Sequence, residues 1–186
     1  MARALRPDYP PGRLPFTSAL SFEGVELQEL RDRESIRNLV LRFALCIDYR
    51  DWDAFAACFT PMVSVKLDER TAASPPAPVP VALWKEVAKA SFAPYDSTHH
   101  LVQPYAVELM GEEGQAISYF QASHYRANPD GAPTFVQKGM YHHHFERTTA
   151  GWRISGWEQT VRWGSGNRAV LDRAMDEMPR KLLWGD

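Results

Sequence analysis

Apolar residues in the first third of the chain recur at helical spacing. Ile36, Leu39, Val40, Phe43, Ala44 and Ile47 follow an i, i+3, i+4, i+7, i+8, i+11 series, which predicts an amphipathic helix from about Leu27 to Tyr49. Asp51 is suited to cap a second short helix, Trp52 to Phe59, that should stop before Pro61. VSVKLD then places β-branched residues at period two and reads as a strand. The cluster Pro75, Pro76, Pro78 and Pro80 reads as loop, and VALWKEVAKASF as a third helix.

The second half changes to strand character. HHLVQPYAVEL, QAISYFQASHYRAN, TFVQKGMYHHHFERT and GWRISGWEQTVRWG are separated by GEEG, NPDGAP and TTAG turns, which predicts four antiparallel strands. Asn167 to Met178 returns to helical spacing through Val170, Leu171, Ala174, Met175 and Met178. Pro7, Pro10, Pro11 and Pro15 make the start an extended arm. The expected division is an arm over 1–22, one domain over 23–178 and a tail over 179–186. Helices followed by a meander imply an α+β class: a curved mixed or antiparallel sheet wrapped around three N-terminal helices as a cone, with a C-terminal helix. Ionisable residues facing into such a cone would sit in a low-dielectric site.

Composition narrows the function. The 186 residues carry 21 basic and 23 acidic side chains, a formal charge of -2, which argues against a nucleic-acid or membrane-surface binder. Cys46 and Cys58 provide no disulfide framework or metal-finger spacing. With no apolar run long enough to span a membrane and no secretory pattern at the start, the expected location is the cytoplasm. There is no glycine-rich phosphate loop and no G-x-S-x-G elbow. Acid–base chemistry by Asp, His and Tyr on a mostly apolar small molecule, without a cofactor, is what remains.

Asp48 follows Ala44 by four residues and Val40 by eight, on the edge of the face that the helix buries. It could terminate the helix, pair with Arg50, or hold a histidine in one tautomer. Of His99 and His100 only one can face inward, since strand residues alternate. His124 alternates with Phe120 and Ala122, which favours the inner face. The run Tyr141 to Phe145 splits into Tyr141, His143 and Phe145 on one side and His142, His144 and Glu146 on the other. His142 and His144 have a metal-ligand spacing. No ligand on a further strand follows at a convincing position, so a solvated or subunit-interface histidine pair is the plainer reading, and no metal is assigned.

CIDYRDWDAFAACFTP after a long helix, THHLVQPYAVE, a strand with a histidine, and GMYHHHFERTTAGWRISGWEQTVRWG together resemble the scytalone dehydratase and SnoaL-like branch of the nuclear transport factor 2-like superfamily. The resemblance covers about Leu27 to Met178. It implies a cone of curved sheet on three helices, with Asp48 orienting His100 and His100 acting as general base and acid for loss of water next to a carbonyl. The chain departs from the dehydratase at its carbonyl-activating tyrosines, whose positions are Ile47 and Leu67 here. The dehydratase's second histidine would fall near Tyr125 or Arg126, beside His124. Its serine and asparagine pair would fall at Gly139 and Tyr141.

The resemblance further implies that Gln159 and Val161 line the site, that the segment with Leu171, Met175 and Met178 covers it, and that the protein is a homo-oligomer, a dimer or trimer. The expected catalytic set is Asp48, His100, His124 and Tyr141, the last two as second acid or oxyanion donor. Tyr49, Gln159, Val161 and Met175 are the expected substrate contacts. The expected activity is a lyase or isomerase reaction, foremost dehydration, on a cyclic or aromatic polyketide- or steroid-like molecule. Alternatives on the same cone are an epoxide-opening hydrolase or cyclase, a non-catalytic binding or assembly module and, from His142 and His144, a metal-dependent oxygenase.

Overall fold

The computed structural model describes residues 24–67, 78–127 and 130–177, the side chains of 175–177 excepted. Helix α1 (Leu27–Tyr49) occupies the predicted range and buries Ile36, Val40, Phe43, Ala44 and Ile47. It ends in Arg50, which adopts a left-handed φ of 58° and turns its N–H back onto the last carbonyls. A non-glycine residue pays a steric cost in that conformation, which the arginine side chain helps to offset by donating to the Ile47 carbonyl at 2.6 Å. The Asp51 carboxylate accepts from the Ala54 N–H at 3.0 Å and starts α2 (Trp52–Ala56).

Two proline positions depart from expectation. Helix α2 stops at Ala56, and Phe59 already belongs to β1 (Phe59–Lys66), so Pro61 lies within a strand. The pairing of β1 with the last strand shifts between Phe59 and Ser64, and the missing amide of Pro61 falls in that irregularity. Pro80, expected in a loop, closes the two-residue β2 (Val79–Pro80), which pairs with Met62 and Val63. An edge strand tolerates a residue with no donor. Helix α3 (Val81–Phe92) follows at once.

Four long strands complete the sheet: β3 (Ser97–Met110), β4 (Glu113–Tyr125), β5 (Thr134–Thr148) and β6 (Gly151–Gly166). The order is β2-β1-β6-β5-β4-β3, with β1 parallel to β6 and every other pair antiparallel. The expected α+β architecture is therefore present, as a six-stranded mixed sheet. Its inner face packs on α1 through Phe120, Tyr141, Phe145, Ile154 and Trp157, which share one core with Phe43. Phe120 crosses over Gly139, where a Cβ would lie 2.0 Å from the Thr160 carbonyl oxygen and 2.8 Å from the Phe120 ring. Only glycine lets the strands approach here, and Tyr141 stacks on that phenylalanine at 4.2 Å and 6°.

The first turns of α1 are tied to the sheet by a buried charge. Asp32 accepts from both terminal nitrogens of Arg147, at 2.8 and 2.5 Å, and from the Trp152 indole at 3.0 Å. These donors outweigh the effect of burial and hold the carboxyl down at about 2. At the other end of the sheet, α4 (Arg168–Glu177) packs Val170, Leu171 and Ala174 against Phe135 and Tyr95.

Candidate active site

The end of α1 and the start of β3 meet in a hydrogen-bonded pair. Asp48 Oδ1 lies 2.6 Å from His100 Nδ1, and Oδ2 accepts the backbone N–H of the same histidine at 2.7 Å. Thr98, two residues earlier on the same face, donates its hydroxyl to Oδ1 at 2.9 Å and accepts from Arg50 at 2.8 Å. Arg50 also reaches the Phe92 carbonyl at 3.4 Å. A carboxylate surrounded by donors must accept, so the His100 proton sits on Nδ1 and the lone pair on Nε2. Burial pushes the Asp48 carboxyl up, but the His100 ring, the His100 N–H and Thr98 together hold it below the ordinary carboxylate value. Among the described residues His100 makes its hydrogen bonds through its backbone N–H and Nδ1, and Nε2 has no hydrogen-bond partner.

Strand alternation sends His100 inward and leaves His99 exposed. His124 faces the same interior from β4, its ring centroid 6.1 Å from that of His100. Phe92 joins the two, edge-on to His100 at 5.6 Å and parallel to His124 at 6.4 Å, and Tyr95 packs on His124 at 4.7 Å. Burial, with the neighbouring His100 charge, lowers the His124 pKa to about 4. At neutral pH it is an uncharged group with a buried, unpartnered Nδ1, which suits a hydrogen-bonding role better than that of an acid.

The remaining expected residues are spread along the interior face. Register pairing runs His100–Ala122–Gln137–Gly164 in one row and Ser118–Tyr141–Gln159 in another. Tyr141 is four residues along β5 from Gln137, about 13 Å at the usual rise per strand residue. It packs on Phe120, Phe43 and Trp157, and among the described residues it makes no ring contact with His100 or His124. Burial keeps its phenol protonated by pushing the pKa up. Val161 is in the core and Gln159 faces inward, half-buried, opposite Tyr141. Tyr49 does not join the site: its side chain stands 81% exposed at the helix end, because it follows Asp48 by one position and the helix turns it away. The Met175 side chain and Met178 lie outside the described residues, while Leu171 of the same helix packs over Phe135.

Three participants were not singled out from the sequence as site residues. Arg50, expected from the sequence only as a possible partner of Asp48, reaches it through Thr98, whose sequence signal is the T-x-H spacing. Gln137 is buried on the inner face, with Ala122 between it and His100. Two strand spacings put it about 10 Å from His100 across the sheet. Its parity with Tyr141 and His143 was the available signal.

His143 is fully buried with both ring nitrogens unpartnered, and burial lowers its pKa to about 3. His142 and His144 project from the opposite face of the sheet, where Glu158 of β6 joins them. Cys46 and Cys58 are both buried and unpaired, and burial pushes the Cys58 thiol up to about 12, so neither is an activated nucleophile. No described helix is long and apolar enough to cross a membrane.

Comparison with known proteins agrees with this architecture. The Kfla4162 protein of Kribbella flavida is 25% identical, superposes with a TM-score of 0.71 and aligns over 77% of this chain and 98% of its own. A hexachlorocyclohexane dehydrochlorinase, LinA-type3 of Novosphingobium barchaimii, shares the fold at 13% identity and a TM-score of 0.61, over 75% of this chain and 92% of its own. So does a proposed scytalone dehydratase of Novosphingobium aromaticivorans, at 15% identity and a TM-score of 0.61, over 76% and 89%. No curated protein matches. The SnoaL-like domain matches residues 28–158, from the first turn of α1 to the Glu158 position of β6, and this chain belongs to that family.

Proposed function

We propose that the protein is a cofactor-independent lyase that removes a carbon-bound proton with His100 and expels a leaving group from the neighbouring carbon. The observation behind this reading is the 2.6 Å contact from Asp48 to Nδ1 of the buried His100, which leaves Nε2 with no hydrogen-bond partner among the described residues. Nε2 takes the proton, the C–H electron pair forms the new double bond, and the leaving group departs with its own pair. For a hydroxyl, the imidazolium returns the proton and water is released. Asp48 stabilises the imidazolium in between.

Supporting the reaction class, relatives of the same fold include a dehydrochlorinase and a proposed dehydratase. Fold likeness by itself does not assign function, so the weight rests on the pair. The substrate we propose is a cyclic or aromatic, polyketide- or steroid-like molecule whose carbonyl acidifies the proton. Aromatic walls from Phe92, Tyr95 and Phe120 suit such a ring. We assign the buried Gln137 to donate an N–H to the developing oxyanion, in place of the tyrosines absent at Ile47 and Leu67, with His124 as a second neutral hydrogen-bonding group.

The test is a panel of cyclic β-hydroxy ketones incubated with the protein in deuterium oxide. Proton NMR then follows exchange at the carbon next to the carbonyl and the appearance of the unsaturated product. Exchange or elimination with the native protein, lost in His100→Ala, supports the reading. Equal rates in both proteins for every member that reacts would remove His100 from the role of base.

A further inference from the structure

On the outer face of the sheet, remote from Asp48 and His100, three side chains from two strands converge. His142 and His144 project from β5, and Glu158 lies directly across from His142 on β6. One candidate ligand atom from each lies within 4.8 Å of the other two. His144 Nε2 and Glu158 Oε1 are already 3.2 Å apart, close to the roughly 3.3 Å that separates two ligands of a tetrahedral ion bound at about 2.0–2.1 Å. The imidazole centroids of His142 and His144 are 4.4 Å apart.

Two further features shape this cluster. The residue across from His144 is Gly156, where a Cβ would meet the His144 ring at 3.1 Å. The missing side chain lets the imidazole lean over β6 toward Glu158. Behind His142, Gln115 of β4 places its Oε1 2.9 Å from the ring Nε2, and its own amide nitrogen donates to Glu108. That chain favours the Nε2–H tautomer of His142 and fixes the ring against β4, the kind of outer support that metal-binding histidines require. A groove of about 460 Å³, lined by His144, Glu146, Glu158 and Lys66 among others, opens beside the cluster and leaves room for water or a small ligand to complete a coordination sphere. Lys66 Nζ lies 3.5 Å from Glu158 and, being largely exposed, competes only weakly for that carboxylate.

We infer that His142, His144 and Glu158 form a binding site for one divalent ion of the zinc class. Two imidazole nitrogens and one carboxylate oxygen suit zinc, cobalt, nickel or copper better than magnesium or calcium, which prefer oxygen donors. Three protein ligands leave at least one position open. The site lies on the opposite face of the sheet from His100 and is independent of the proton-transfer reaction.

The experiment titrates cobalt(II) alone into chelator-treated full-length protein, following d–d absorption, and repeats the titration with zinc chloride by calorimetry. The native protein is expected to bind one equivalent with a Kd in the micromolar range or below. His144→Ala and Glu158→Gln are expected to weaken binding at least tenfold, and Gln115→Ala by about tenfold through loss of ring orientation. Asp48→Asn should leave binding unchanged. Absence of saturable one-equivalent binding up to about 1 mM of either metal overturns the site, as does native-like binding by both ligand variants. If His144→Ala does not fold, the near-isosteric Glu158→Gln decides the matter alone.

Discussion

Asp48 grips His100 with both oxygens, Oδ1 on the ring at 2.6 Å and Oδ2 on the backbone N–H at 2.7 Å. The helix end and the first long strand are thereby locked together, and the imidazole is fixed in one orientation. Because the backbone contact demands an oxygen at the Oδ2 position, Asp48→Asn would place its amide nitrogen against the ring nitrogen. The variant should fold normally yet lose about 10²–10⁴ of the rate in the elimination assay, the range spanned by general-base and tautomer effects.

Thr98 contacts Asp48 through its hydroxyl, so in the proposed reaction it is expected to act as a positioning residue. Thr98→Val removes the 2.9 Å donor to Oδ1 and the acceptor for Arg50, and roughly a tenfold fall in kcat is expected for one lost hydrogen bond to a charged group. The acid limb of the pH–rate profile should shift at the same time. Thr98→Ser, which keeps the hydroxyl, should recover both.

Gln137 should matter to the transition state more than to binding. Gln137→Leu is expected to lower kcat by about 10²-fold, as for the loss of one oxyanion donor, with little change in KM. A change confined to KM would instead make the residue an ordinary wall contact.

Acid sensitivity follows from His124. Its folded-state pKa of about 4 lies below the ordinary 6.5, so the unfolded chain binds the extra proton first. The corresponding stability is complete above pH 6.5 and is lost as pH falls from 6.5 to 4, amounting to about 3 kcal/mol. His143, lowered to about 3 by its own burial, steepens the same slope. Chemical denaturation at a series of pH values should show this loss, and His124→Gln should reduce the slope by close to one proton.

Asp32 governs a lower window. With its carboxyl held at about 2 against an ordinary 3.8, it contributes stability that is complete above pH 4 and is lost as pH falls through 2, about 2 kcal/mol in all. Asp32→Asn leaves the Arg147 guanidinium and Trp152 indole with a weaker acceptor. A loss of about 2–4 kcal/mol in urea unfolding at pH 7 is expected, with activity per folded molecule unchanged.

Periodicity made the long elements legible. The apolar series from Ile36 to Ile47 located α1, and alternation sorted His142 and His144 from Tyr141 and His143 onto opposite faces. Helix α2 and β2 were harder, because Pro61 and Pro80 occupy a strand irregularity and a sheet edge, contexts in which a missing amide donor costs little. The contact between Asp48 and His100 was legible where the family motif marks both residues. Gln137 and Glu158 were missed because each acquires meaning only from the residue beside it on another strand. Cross-strand register depends on turns and bulges that a single strand's pattern does not specify. Tyr49 follows Asp48 by one position, and helical rotation turns it to solvent.

Whether His100 is held as a base is read from its tautomer by nitrogen-15 NMR at a pH of about 8, in the native protein and in Asp48→Asn. The proton is expected on Nδ1 in the native protein, leaving Nε2 as the base, and on Nε2 in the variant, where an amide nitrogen faces the ring. A native His100 protonated on Nε2, or the same tautomer in both proteins, would contradict that assignment.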